Sequence, residues 1–175
     1  MERESEQVNI YCSDGNKIRL SRSFLIQNCP GFNSELIMDP TLGQCCVRVN
    51  VTSGIMNQLI GFITDGEIIF GSVKDAMVIY EISEKTGNIN MVDRCRDFLI
   101  EEMKVSNVFS IHDFARKHED LFVQFHCWKL FTSSSDEVLE SEDFLNCEES
   151  TVSMFLSRPI YRNTNEVSLF LNIYN

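Results

Sequence analysis

A chain of 175 residues that is 43% hydrophobic and 10% aromatic carries enough apolar material for one or two compact cores, and its composition is not that of a disordered polymer. Its formal net charge of -11 opposes close approach to phosphate backbones, which argues against direct nucleic-acid binding as the main activity and points to proteins as partners. The seven cysteines are odd in number, the start MERESEQVNI is charged where a secretory signal would be apolar, and no apolar run reaches the roughly 18 residues of a membrane helix. The expected location is therefore a reducing one, the cytoplasm or the cytoplasm and nucleus, with no membrane partner.

Val8, Ile10 and Cys12 alternate with polar residues, Asp14-Gly15 supplies a turn, and Ile18 and Leu20 alternate again, so the chain opens on a β-hairpin. From Ser21 the pattern turns helical through Phe24 and Leu25 to Asn28-Cys29. Pro30-Gly31 interrupts it, and a second short helix is expected to carry Phe32, Leu36 and Ile37. Cys46 to Val51 alternates as a third strand. Thr52 or Ser53 can cap a helix with Ile55, Leu59, Phe62 and Ile63 on one face, ended by Asp65-Gly66. Glu67 to Phe70 reads as strand or turn. Ser72 with Asp75 resembles a capping box for a helix bearing Val73, Ala76, Met77 and Tyr80, closed by Lys85 and Gly87. A further amphipathic helix carries Val92, Cys95, Phe98, Leu99 and Met103. Strands in front and a run of helices behind define an α+β fold.

Beyond Ser106 the apolar residues come in short helical groups: Ile111, Phe114 and Ala115; Leu121, Phe122, Phe125 and Trp128; Val152, Phe155 and Leu156. Pro159 closes the third, and Asn163 or Thr164 can cap a last helix with Leu169, Phe170 and Ile173. Within Asp136 to Glu149, the acids Asp136, Glu137, Glu140, Glu142, Asp143, Glu148 and Glu149 meet no Lys or Arg, which reads as a solvated face or as attraction for a basic partner. His118, His126 and Cys127 match no zinc spacing, and there is no CxxC. Cys29, Cys95 and Cys127 read as small buried hydrophobes. No phosphate loop, GxSxG elbow or HExxH helix occurs, so no catalytic residue, metal or cofactor is expected.

The order of elements and several short motifs resemble a BTB (POZ) domain, a small β-sheet flanked by helices, continued by an all-helical, incomplete BACK domain, as in kelch-like proteins. Asp14-Gly15, Ile18, Arg22, Phe24-Leu25, Cys29 and Phe32 are similar to the family's opening. Phe62-Ile63-Thr64-Asp65-Gly66-Glu67-Ile68 resembles its Phe-Ile-Tyr-Thr-Gly run, and Cys95-Arg96-Asp97-Phe98-Leu99 its Cys-x-x-Phe-Leu helix before an Asn, here Asn107. Phe114-Ala115, Leu121, Phe131, Val138, Phe144-Leu145 and Glu166-Val167 resemble the spacing of BACK helices. The sequence departs from the family at Gln7, Ser21 and Thr64, where Asp, His and Tyr are usual. The opening through Asp14-Gly15 also resembles the Skp-type cullin adaptors, which share the fold. The resemblance implies a BTB domain over residues 6–105 and a partial BACK domain over 106–175, short of the Trp that commonly follows and without kelch repeats, as in short poxvirus kelch-like proteins.

It further implies a non-enzymatic adaptor that forms a homodimer or BTB heterodimer through Val8, Ile10, Phe24 and Leu25. Docking to the cullin-3 scaffold of a ubiquitin ligase would use Phe32, Ile37, Met38 and Asp39 with Phe109, His112 and Phe114. The family's hydrophobic-x-Glu contact is met here by Ile37-Met38-Asp39, with the shorter acid. Two alternatives stand beside it: a BTB module that dimerises or binds transcriptional co-regulators without cullin, and a small hydrolase using an unrecognised cysteine.

Overall fold

The computed structural model describes residues 7–39 and 43–157, which fall into two compact units divided between Phe98 and Leu99. The expected helix with Leu169, Phe170 and Ile173, together with Pro159 and Glu166-Val167, lies outside the described residues. The fold is α+β: a small four-stranded sheet with helices, then helices alone.

In the first unit Gln7–Tyr11 (β1) and Lys17–Ser21 (β2) form the expected hairpin, with Val8 opposite Leu20 and Ile10 opposite Ile18. Cys45–Arg48 (β4) runs parallel to β1, and Ile37–Met38 (β3) pairs antiparallel with β4, so the sheet order is β2-β1-β4-β3. This makes β1 an interior strand. Its Val8, Asn9 and Ile10 are all buried, where simple alternation would leave Asn9 wet. The Asn9 amide instead donates from Nδ2 to Gln44 Oε1 at 2.9 Å.

Ser21 ends β2 and caps Arg22–Asn28 (α1), its hydroxyl accepting from the Phe24 amide. The second short helix expected over Phe32, Leu36 and Ile37 is reduced to a single 3-10 turn, Pro30–Ser34, while Ile37 belongs to β3. Such turns propagate poorly, and the open edge of β4 offers Ile37 and Met38 a ladder that no local pattern announces. The turn lies hard against the end of Val73–Thr86 (α3): a Cβ on Gly31 would fall 2.5 Å from the Lys85 carbonyl oxygen and 2.7 Å from the Thr86 Cα. Only glycine permits that approach.

Ser53–Asp65 (α2) is capped by Thr52 and α3 by Ser72, whose hydroxyl accepts from the Asp75 amide at 3.1 Å; Gly66 and Gly87 end them in the left-handed conformation. Ile89–Glu101 (α4) starts on Asn88, whose Oδ1 accepts from the Met91 amide, and stops before Met103, which the helical spacing had included. Its termination two residues early follows from the Asn107 side chain, which donates to the Glu102 carbonyl and accepts from the Lys104 amide, closing the chain into a turn. Glu67 to Phe70 belongs to neither strand nor helix, and Phe70 packs 4.5 Å from Phe98. Val8, Ile10, Leu25, Phe32, Val47, Leu59, Ile79, Tyr80, Met91 and Cys95 form the core.

The second unit holds Val108–Lys117 (α5), Leu121–Ser133 (α6), Ser135–Leu139 (α7), Glu142–Leu145 (α8) and Glu149–Ser157 (α9). Phe109 is its centre, 4.7 Å from Phe131, 5.2 Å from Phe144 and 5.3 Å from Phe155. Most of the acidic stretch is solvated, but Asp143 is buried. Its carboxylate accepts from the Phe109 amide at 2.6 Å, the Ser110 amide at 3.2 Å and the Ser110 hydroxyl, at the first turn of α5. Asp113 of α5 in turn accepts from the Glu148 amide at 2.9 Å and the Thr151 hydroxyl, at the start of α9.

Removing a charged partner from buried amides costs about 3 kcal/mol, so Asp143→Ala should lower the urea midpoint of the second unit by that stability, and Asp143→Asn by less. A second outcome concerns acid. Asp14 accepts from the Ser53 hydroxyl at 2.7 Å and the Ser53 amide at 2.9 Å, which with Asn16 hold its carboxyl down to about 2. Being depressed, this group adds stability that is complete above its ordinary value of 3.8 and is lost as the pH falls through about 2. Carboxyl-carbon NMR titration should give Asp14 that midpoint, and Ser53→Ala should raise it.

Candidate functional site

Of the four side chains expected at a dimer face, Val8 and Ile10 have no exposed surface and Leu25 has 2%. A side chain already covered within one protomer has none left to bury against a second. Phe24, half-buried on α1, is the one of the four with surface to offer.

The expected docking residues divide in the same way. Phe32 is buried under the 3-10 turn, whereas Ile37 and Met38 are 54% and 63% exposed on β3. Their exposure follows from the strand's position: two residues long and last in the sheet, β3 has a neighbour on one side only. Asp39 is half-buried and closes the β3–β4 loop, its amide donating to the Gln44 carbonyl at 2.9 Å and its carbonyl accepting from Gly43 at 2.8 Å. Phe109 and His112 belong to the core of the second unit, the His112 ring lying 5.6 Å from both Trp128 and Phe131. Phe114 is half-buried against His118 at 4.5 Å. The structure thus places Phe32, Ile37, Met38 and Asp39 on adjoining segments of the first unit, and Phe109, His112 and Phe114 on α5 of the second.

Five of the seven thiols are held towards the protonated form. Burial pushes Cys95 and Cys127 up to about 12; Cys147 reaches about 12 through burial and then the nearby Asp113 and Asp143 carboxylates; Cys12 and Cys29 are also raised by burial. A thiol held that high stays protonated at neutral pH and is a poor nucleophile and metal ligand. Among the described residues no three His, Cys, Asp or Glu side chains gather to hold a metal ion. His126 lies between Phe122 and Phe125, 5.0 and 5.6 Å away, while its neighbour Cys127 faces the core.

One surface was missed by the sequence pattern. The sequence groups Leu121, Phe122, Phe125 and Trp128 as apolar residues of one helix and Cys127 as a small buried hydrophobe; α6 buries Val123, Cys127 and Phe131 and leaves Leu121, Phe122 and Phe125 exposed. A helix with apolar residues on every side does not declare its inner face by periodicity. Asp120 helps to set its rotation by accepting from the Phe122 and Val123 amides, and Lys129 lies 5.0 Å over the outward Phe125 ring.

The chain matches no protein-family model and no curated protein. Among the described residues no helix is long and apolar enough to cross a membrane. The two faces of α6 should separate by mutation: Phe131→Ala should cost about 3 to 5 kcal/mol in denaturant unfolding and Phe125→Ser less than about 1 kcal/mol.

Proposed function

We propose that this chain is a non-enzymatic protein-interaction module, a BTB-type α+β unit followed by BACK-type helices, which pairs with itself or another BTB chain and docks on the cullin-3 scaffold of a ubiquitin ligase. The reading is carried by Ile37 and Met38. Two adjacent large apolar side chains stand in solvent at a sheet edge, on the segment that the family resemblance assigns to the scaffold. Covering such side chains yields about 1.5 to 3 kcal/mol each, which makes them suitable anchors. Phe32, Phe109 and His112 act in this reading from beneath, by holding the segments that carry the contact.

The test is titration calorimetry with a cullin-3 N-terminal fragment. Met38→Ala or Ile37→Ala should weaken binding at least about 30-fold, corresponding to about 2 kcal/mol, with circular dichroism unchanged. Equal affinity in parent and variants removes the docking assignment. No binding at all by a chain that sediments as a dimer, at twice 20.2 kDa, selects the module that dimerises or binds co-regulators without cullin.

A further inference from the structure

The chain has 26 acidic residues and 15 Lys and Arg, yet no acid occurs in any strand of its sheet. The strands carry three charges, Lys17, Arg19 and Arg48, and all are positive and exposed. Register puts them on one face. Lys17 is opposite Tyr11 and Arg19 opposite Asn9 on β1, and Tyr11 is aligned in turn with Arg48 on β4. Val8, Ile10 and Val47 occupy the other parity and are buried, and on the cations' own parity Asn9 and Cys46 are buried as well, so the open part of this face is the Lys17, Tyr11 and Arg48 row with Arg19 at its outer strand. One row therefore reads Lys17, Tyr11, Arg48 across three strands, with Arg19 next along β2. None of the three cations forms an ion pair among the described residues, and Arg48 lies over the Tyr11 ring at 5.6 Å, which holds its guanidinium above the sheet.

We propose that this face binds an extended acidic peptide segment of a partner protein, independently of any cullin contact. Spacing selects the ligand. Lys17 and Arg48 stand about 10 Å apart across two strand separations, and Lys17 and Arg19 about 7 Å apart along one strand. A single phosphate could engage two of these long side chains only by drawing them together, whereas an extended acidic chain meets the cations where they stand. Carboxylates on alternate residues of an extended peptide lie about 7 Å apart on one face, which matches the Lys17–Arg19 spacing along β2, while the residues between them point away from the sheet. A chain whose net charge is -11 repels a long polyanion, which favours a short acidic segment over nucleic acid.

The probe is a fluorescein-labelled peptide of alternating glutamate and threonine, followed by anisotropy with the full chain. Saturable binding is expected that weakens with added salt, drops at least about tenfold in the Arg19→Ala, Arg48→Ala double variant and falls in Lys17→Gln, but is unchanged in Lys74→Ala, an exposed lysine on α3. Circular dichroism of each variant confirms that the fold is kept. Absence of binding by the parent, or equal binding by all variants, overturns the proposal. So does displacement of the peptide by a single-stranded oligonucleotide at lower concentration than by unlabelled peptide. If the parent ignores the peptide and the variants self-associate, the cations serve only to keep sheet edges apart.

Discussion

The helical unit depends on one buried carboxylate. An α-helix begins with amides that have no partner inside it, and at α5 the residue in the capping position, Asn107, is already committed to the turn before it. The partner comes from Asp143, 34 residues further on from Phe109. A carboxylate taken out of water costs several kcal/mol unless hydrogen bonds replace its hydration, and two amides and a hydroxyl do so here. The exchange is mutual, because helix and anion each lack what the other supplies. Phe109, whose amide is held, also carries the ring on which Phe131, Phe144 and Phe155 close, so the polar anchor fixes the apolar centre. Asp113 repeats the device one turn later by capping α9, and the Arg116–Glu148 ion pair lies beside it.

The first unit solves a different problem. A four-stranded sheet with a two-residue member is too small to stand without cover, and its interior strand β1 must be satisfied on both edges and both faces. Parallel pairing with β4 requires the chain to travel through β2, α1 and β3 before returning. Gly31 permits that path to pass against the end of α3, and Asp14 ties the hairpin turn to the start of α2. The shortness of β3 then leaves Ile37 and Met38 uncovered. What makes these side chains available is a limit of sheet geometry, not an excess of apolar sequence.

Signals that act over three or four residues were readable in advance. The hairpin, the caps at Thr52 and Ser72 and the stops at Gly66 and Gly87 all arise from chemistry local to those positions. Features decided by distant partners were not. Asp143 is one acid among seven in its stretch, and nothing in its neighbourhood marks it as the one aimed at α5. The orientation of α6 was not legible because Leu121, Phe122 and Phe125 are as apolar as the residues it buries, and it is Phe109 and Phe155 outside the helix, packed on Phe131, that break the tie. For the expected contact residues the sequence did not show which are exposed. Ile37, Met38 and Phe32 lie within seven positions and look equally apolar, and burial divides them because one sits under a turn and two at an edge.

Register also relates the two surfaces of the first unit. Ile37 is aligned with Cys46, Cys46 with Asn9 and Asn9 with Arg19, so the exposed Ile37 side chain shares its parity with the cations. Met38 is aligned with Cys45 and so with Val8, on the opposite parity. A partner that grips both Ile37 and Met38 must therefore wrap the edge of the sheet, since one flat surface cannot reach both sides of a strand. The part of it that covers Ile37 approaches the row ending in Arg19, three strand separations or about 14 Å away. Between them Cys46 and Asn9 are buried, so the cations and the Ile37 edge are separate exposed patches, and a partner held at the edge reaches the cations only by crossing covered surface.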